Sequence, residues 1–180
     1  AATAALPIMA FVGALVSALV VFAIAREGRR TSVAAMLLAG IGITAITGAF
    51  TGLLTFAATD TQLRSITFWM LGSLAGADRT SVIALLCAVP IPLLIVLTAH
   101  RQLNALALGE QQARYLGVDP ERLKWRVVIC TAIMVGGTVA FTGVIGFVGL
   151  VVPHIYRMAG GADNRFLLPA AMLGGATLLC

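Results

Sequence analysis

The residues that could do chemistry in this chain are few and lack the spacings of known sites. The only lysine, Lys124, stands in Leu-Lys-Trp with no glycine-rich segment before it, so no phosphate-binding loop is predicted. His100 and His154 have no Glu or Asp at zinc-ligand spacing, and no serine lies in a Gly-x-Ser-x-Gly setting. The three cysteines fall inside apolar runs, as buried thiols do. We therefore predict no catalytic residue, no metal site and no cofactor held by this chain.

The positions of the acidic residues disfavour ion-coupled transport. Carriers driven by protons or sodium usually hold an ionisable residue near the middle of the membrane. Here every acid lies in a segment between apolar runs: Glu27, Asp60, Asp78, Glu110, Asp119, Glu121 and Asp163. This distribution disfavours an ion-coupled transporter and indicates that energy for any transport enters from outside the apolar runs.

The polar segment 99–126 is the predicted contact site for a partner that supplies this energy. Its leucines lie on two short predicted helices that meet at Gly109 and form a compact knob, defined here as residues 103–117. Glu110 lies in the first turn of the second helix, where its negative charge interacts favourably with the helix dipole. Gly117 is expected to end that helix in a left-handed cap, and Pro120 to prevent immediate resumption of a helix. A knob of this kind is typical of a membrane protein that contacts a soluble partner.

The composition identifies the solvent in which the chain folds. Hydrophobic residues make up 60% of the chain and charged residues 11%, whereas soluble domains carry about 25% charged residues. The net charge of +5 comes from cations in short loops, which is the pattern of orientation signals in a lipid membrane and not of a nucleic-acid surface. We expect lipid around the chain and no nucleic acid as a partner.

The apolar runs predict an all-α, polytopic transmembrane helical bundle that forms a single domain over 1–180. It would have about five spans plus a truncated sixth, because a crossing needs about 20 residues. We further expect the chain to be an internal fragment of a longer membrane protein. The predicted spans are 3–25, 33–57, 81–98, 127–141, 144–156 and 167–180.

The run at 127–153 has two possible topologies, either one long helix or two short spans folded at Gly143. A fold at Gly143 places ten of the 12 Lys and Arg residues on one side and two on the other, whereas a single crossing gives eight against four. Positive charge concentrates on the cytoplasmic side, so the folded topology is favoured. The loops at 26–32, 99–126 and 157–166 are then cytoplasmic.

Two further segments each have two possible roles. Glycines recur every three residues at Gly143, Gly146 and Gly149, which indicates either close helix packing or a lining of a transport pathway. The outer segment 58–80 contains a short helix with one apolar side that includes Trp69. Such a helix either gates an outward opening or rests on the membrane surface.

Four segments resemble one family, the FecCD-type permeases of bacterial ABC importers. The knob sequence Leu-Asn-Ala-Leu-Ala-Leu-Gly with the later Ala-Arg-x-Leu-Gly is similar to the loop through which these permeases contact their ATPase. The segment 143–157, with its Pro-His pair, resembles the family's most characteristic motif. Residues 68–74 and 167–170 also match family patterns.

The resemblance implies the type II permease fold of ABC importers and an ATP-driven importer of ferric siderophore, with haem or cobalamin as the alternative cargo. It implies several partners: a cytoplasmic ABC ATPase dimer that binds ATP and magnesium, an extracytoplasmic substrate-binding protein, and a second permease subunit, identical or paralogous. The chain itself would be a transporter subunit and no enzyme, in the bacterial cytoplasmic (inner) membrane. An ion-coupled secondary transporter remains the alternative from outside the family.

The resemblance also implies three groups of site residues. The ATPase-coupling group lies in the knob: Leu103, Leu106, Gly109, Glu110, Gln111, Ala113, Arg114 and Gly117. The pathway and gate group comprises Thr31, Ser32, Gly143, Gly146, Gly149, Pro153 and His154. The outer-face candidates are Arg64, Trp69 and Arg79, with the two arginines expected to meet acids of a binding protein.

The chain departs from the family pattern at one position and leaves one residue with two roles. Gln111 stands where the importer signature has an acidic residue, and the neighbouring Glu110 is expected to substitute for it in part. For His154, a hydrogen-bonding ring that orients the Pro153 bend is the alternative to a substrate contact.

Overall fold

The computed structural model describes residues 2–27 and 30–179, and within these ranges the side chains of 2–6, 27, 30 and 31 are not described. The described residues form ten helices and one two-residue-per-strand hairpin, so the predicted all-α bundle is confirmed. The elements in chain order are α1 (Ala2–Ala25), β1 (Arg26–Glu27), β2 (Arg30–Thr31), α2 (Val33–Phe56), α3 (Asp60–Leu71), α4 (Arg79–Ala88), α5 (Pro90–Thr98), α6 (His100–Ala107), α7 (Glu110–Tyr115), α8 (Pro120–Thr142), α9 (Val148–Gly160) and α10 (Asn164–Leu179).

The antiparallel pair α1 and α8 forms the centre of the bundle. Gly136 of α8 permits this approach, because a Cβ at that position would lie 3.1 Å from the Ala14 side chain and 3.4 Å from Phe11. At the other end of the pair, the rings of Phe22 and Trp125 have centroids 4.7 Å apart. Small side chains therefore bring α1 and α8 together at one end, and an aromatic contact fixes them at the other.

Four helical segments are long and apolar enough to cross a membrane: Pro7–Ala25, Val33–Phe56, Arg79–Thr98 and Pro120–Thr142. Large apolar side chains cover their outer surfaces, and α2 buries none of its described residues. Such surfaces are suited to lipid or to further transmembrane helices and not to water. Helices α9 and α10, with 13 and 16 residues, are shorter than these four, so the crossings expected at 144–156 and 167–180 stay predictions.

The third apolar run is interrupted at Pro90, because proline cannot continue the hydrogen bonding of a helix interior. Helix α4 ends at Ala88 and α5 begins at Pro90, with Val89 between them in a helical conformation. The Leu93 N–H donates to the Val89 carbonyl at 3.0 Å, so hydrogen bonding resumes directly after the kink. The two helices consequently form one bent segment across the membrane.

The chain folds sharply at Gly143, where α8 ends. Gly143 has a φ of 72°, a left-handed value that favours glycine, and α9 starts five residues later at Val148. One continuous helix over 127–153 is therefore excluded, and the helix breaks at Gly143 as the folded alternative predicts.

The expectation for Pro120 is wrong, because this residue is the first of α8 and does not delay a helix. The Asp119 side chain caps the helix by accepting hydrogen bonds from the N–H groups of Glu121 and Arg122, at 3.1 and 3.3 Å. Proline suits the first position of a helix because no intrahelical hydrogen bond is lost there. As a result α8 starts seven residues before the predicted span, and the segment 99–126 is helical over most of its length.

Candidate functional site

The knob is a pair of short helices set by two glycines with positive φ. Gly109, with a φ of 116°, separates α6 from α7, and Gly117, with a φ of 79°, follows α7. The Val118 N–H donates to the Ala113 carbonyl at 2.9 Å and closes the end of α7. Ala113 is fully buried, so this residue of the predicted coupling group packs inside the knob and supports it.

A buried lysine connects the knob to the first turns of α8. The Lys124 side chain is 7% exposed, and its Nζ lies 2.6 Å from Glu110 Oε1 and 3.5 Å from Glu121 Oε1. A charge this deeply buried is tolerated only where carboxylates compensate it, so the position of α7 on α8 is strongly determined. Glu110 is thus paired inside the chain, which argues against its expected role as a substitute for the acidic residue of the importer signature.

The opposite side of the knob is uncovered and partly apolar. Leu108, Tyr115 and Leu116 are 67%, 82% and 64% exposed, although none lies in a candidate membrane span. Gln111 and Arg114 are exposed beside them, whereas Leu103 and Leu106 are half-buried. Beside Arg114 and Gly117, an open polar groove of about 630 Å³ extends to Arg26 of the hairpin. Exposed large apolar groups at a membrane boundary are typical of a docking surface.

A second polar connection, which the sequence interpretation missed, links the knob to the start of α10. Asn104 Nδ2 donates to Asp163 Oδ1 at 2.7 Å, and Asn104 Oδ1 accepts from the backbone N–H and the Nδ2 of Asn164 at 2.9 and 2.8 Å. Hydrogen bonds from the Arg165 N–H and from Asn104 hold the pKa of Asp163 below its ordinary value. These partners are about 60 residues apart along the chain, and no local pattern signals such a contact.

At the far end of α8, the Gly143 turn packs backbone against backbone on the end of α3. The Ser73 N–H donates to the Thr142 carbonyl at 2.7 Å, and the Val144 N–H donates to the Trp69 carbonyl at 3.2 Å. A Cβ on Gly143 would collide with that Trp69 carbonyl, and one on Gly72 would lie 2.6 Å from the Val144 carbonyl. Glycine is therefore required on both sides of this contact. The structure thereby brings together two predicted site residues, Gly143 and Trp69.

The glycine repeat does not act as one packing motif. Among the described residues, a Cβ on Gly146 or Gly149 would meet no heavy atom within 4 Å, so close packing applies to Gly143 alone. Pro153 lies inside α9, and the His154 side chain is exposed without a hydrogen bond to any described residue. The described part of the chain therefore gives no support to a ring-orienting role for His154.

The candidate gate residues do not form one cluster. Ser32 caps α2, where the Ala35 N–H approaches its Oγ at 3.4 Å, and the Ser32 N–H donates to the Ala25 carbonyl at 3.3 Å. Ala25 follows the Phe22–Trp125 contact, so Ser32 lies at the end of the bundle where α8 begins, while Gly143 lies at the other end of α8, about 30 Å away for a helix of this length. The Thr31 side chain is outside the described residues.

The remaining outer-face candidates are solvent-accessible, and no metal-ligand cluster accompanies them. Arg64 on α3 and Arg79 at the start of α4 are exposed, and Trp69 is 37% exposed. The Asp78 side chain accepts hydrogen bonds from the backbone and hydroxyl of Ser81, which lowers its pKa and caps α4. Among the residues that the structure describes, no three His, Cys, Asp or Glu side chains are grouped so as to hold a metal ion.

Comparison with known proteins links this arrangement to one family. The model of the FecCD transport family matches residues 1–180. The chain is 47% identical over 171 residues to the hemin transport system permease protein HmuU of Yersinia pestis, an alignment of 94% of this chain and 51% of that protein. It is 40% identical over 170 residues to the vitamin B12 import system permease protein BtuC of Vibrio vulnificus, which covers 94% and 51% of the two chains.

A solved structure agrees with the fold. An ABC transporter of the metal-chelate type in an inward-facing conformation superposes with a TM-score of 0.77 at 35% identity, over 82% of this chain and 48% of that one. The chain spans about half the length of the curated relatives that it matches. Its apolar helices and these relatives identify a multi-pass protein of the inner membrane. Because the family model matches it from the first residue to the last, the chain belongs to the FecCD transport family.

Proposed function

We propose that the chain is part of a permease subunit of an ATP-driven ABC importer, and that the knob transmits the movements of a cytoplasmic ATPase dimer to the membrane helices. The observation that carries this proposal is the two-sided character of the knob. One side is fixed by Ala113 and Lys124, while the other presents Leu108, Tyr115 and Leu116 uncovered. A firmly held element with an exposed apolar face can bind a soluble partner and move with it.

The other partners follow from the family. A substrate-binding protein would dock on the outer side, where α3 packs against the Gly143 turn and Arg64 is exposed. A second permease subunit would complete the pathway, and α2, which leaves its apolar surface uncovered, would line it from Ser32 inward. ATP and magnesium would bind to the ATPase, since this chain has no phosphate-binding loop.

The cargo that we propose is a metal chelate. The sequence interpretation favours ferric siderophore, whereas the relatives are named for hemin and vitamin B12. The alternative of haem or cobalamin therefore has support equal to that of ferric siderophore. All three candidates are large organic ligands that enclose a metal.

The experiment is reconstitution of the full-length permease in liposomes with its ATPase and binding protein. Ferric siderophores, haem and cobalamin are added separately, and ATP hydrolysis and uptake are recorded together. We expect both rates to rise with one of the three ligands. Uptake that ignores ATP and follows a proton gradient would instead favour the ion-coupled transporter and overturn the proposal.

A further inference from the structure

The knob is held at a second point by Asn104 of α6, which bonds the start of α10. The Asn104 side chain makes three hydrogen bonds of 2.7 to 2.9 Å, one to Asp163 and two to Asn164. Its amide oxygen and its amide nitrogen are both used. Asparagine is one of the few side chains that both donates and accepts from one planar group, so few substitutes would satisfy all three bonds.

The partners of Asn104 stand at the point where α10 begins. The Asp163 carboxylate also accepts from the Arg165 N–H at 2.9 Å, and its backbone carbonyl accepts from the Leu167 N–H at 2.9 Å, so Asp163 caps α10. Asn104 therefore bonds the cap and the first residue of this helix. A displacement of α6 acts directly on the end of α10 through these bonds.

Two independent connections thus leave the knob in different directions. Lys124 joins α7 to α8 through ion pairs, and Asn104 joins α6 to α10 through an amide network. Helix α10 in turn packs along α9, where Gly174 lies directly beneath the Tyr156 ring. Helices α8 and α9 are consecutive but separated by the Gly143 fold, so each needs its own mechanical link to the knob.

We propose that Asn104 is a positioning residue that makes the knob and the α9–α10 pair move as one unit during transport. This inference rests on the proposed function, because it assumes that an ATPase displaces the knob. Without the Asn104 bonds, the displacement would reach α8 but be lost on the way to α9 and α10. ATP would then be hydrolysed with little uptake.

The test measures uptake per ATP hydrolysed for Asn104→Ala in the reconstituted full-length complex. A hydrogen bond to a charged group corresponds to about a tenfold change in an equilibrium, so we expect this ratio to fall by about three- to tenfold. Gln102→Ala is the matched control, since Gln102 is an exposed amide on the same helix with no hydrogen bond to a described residue. Equal ratios for both variants would overturn the proposal, whereas a wild-type complex without ATP-driven uptake would overturn the proposed function instead.

A polarity swap separates coupling from folding. Asn104→Asp alone places two carboxylates within hydrogen-bond distance and should lower uptake per ATP as strongly as the alanine variant does. Adding Asp163→Asn restores an amide opposite a carboxylate and keeps a good helix cap, so the ratio should recover. A double variant that stays as uncoupled as the single one would contradict the role assigned to this contact.

Crosslinking tests the proposed common movement directly and does not depend on the stability of Asn104→Ala. Cysteines replace Asn104 and Asn164 in a full-length variant from which the native cysteines have been removed, and a short reducible thiol crosslinker joins them. Because these substitutions remove the Asn104 hydrogen bonds, uptake per ATP should be low before crosslinking. If knob and α10 move together, uptake per ATP should rise once the crosslinker joins them. Uptake that stops on crosslinking and returns on reduction would show that the two must separate, and the proposal would be wrong.

Discussion

Replacing Lys124 with methionine should loosen the knob by an amount that the structure allows us to calculate. Lys124 is 7% exposed, while its partners Glu110 and Glu121 are 39% and 25% exposed. Methionine keeps the apolar stem but removes the cation that the two carboxylates share. Deleting one partner of a fully buried pair costs about 3–5 kcal/mol. Because water reaches both carboxylates here, we expect about 2 kcal/mol.

Hydrogen exchange followed by mass spectrometry measures this loss locally, on the full-length permease in nanodiscs. A cost of about 2 kcal/mol should speed amide exchange in residues 110–118 by about 30-fold, since these amides exchange through local opening. Arg122→Met is the control: its guanidinium lies 3.1 Å from Asp119, but the two side chains are 86% and 52% exposed. That exposed pair should change exchange by less than about threefold. Equal exchange in both variants would refute the reasoning that Lys124 fixes the knob.

Three further predictions concern other parts of the chain. Gly143→Ala should lower the thermal unfolding midpoint of the full-length permease, because its Cβ would strike the end of α3, while Gly146→Ala, which has open space, should not. Gly117→Pro should abolish uptake without preventing membrane insertion, because proline cannot adopt a φ of 79°. Leu106→Asp should do the same, because it places a charge at a half-buried position of the knob. Normal uptake by both variants would argue against the coupling role. The folded-state pKa of Asp163 is lowered, so its stabilising contribution is present above the ordinary pKa of about 3.9 and is lost as the pH falls further. Exchange of the amides at the start of α10 should thus be constant from about pH 8 to 5, after correction for the intrinsic rate, and a transition near neutrality would contradict this.

Much of the fold was predictable because its causes are local. The long apolar runs alone predict the first two crossings, and the positions of Gly109 and Gly117 predict the two turns of the knob. The Gly-rich segment locates a possible fold at Gly143 and the charge distribution favours it, and α8 ends there in the structure. At Pro120 the prediction failed although a signal was present: Asp before Pro is a typical helix start, with a capping side chain followed by the residue that tolerates the first position.

The two connections that hold the knob were not predictable from a single sequence. Lys124 looks like an ordinary loop cation until the structure shows that it is buried against Glu110 and Glu121. The Asn104 network joins residues 59 and 60 positions apart, and the choice of partner depends on how α6 and α10 pack. Hydrophobic periodicity determines which face of a helix is buried, but it carries no information about which polar groups then meet.

The most direct test of the account is whether the exposed face of the knob touches the ATPase. A photo-crosslinking amino acid placed at Tyr115, which is 82% exposed, should capture the ATPase subunit in membranes that contain the whole complex. The same group at Phe56 serves as the control and should not capture the ATPase. Phe56 is 91% exposed and lies at the end of α2 that is far from the Ser32 cap. Capture from Tyr115 alone, in an amount that changes when ATP is added, is the result that the account predicts. No capture from Tyr115 in a complex that imports its ligand would contradict it.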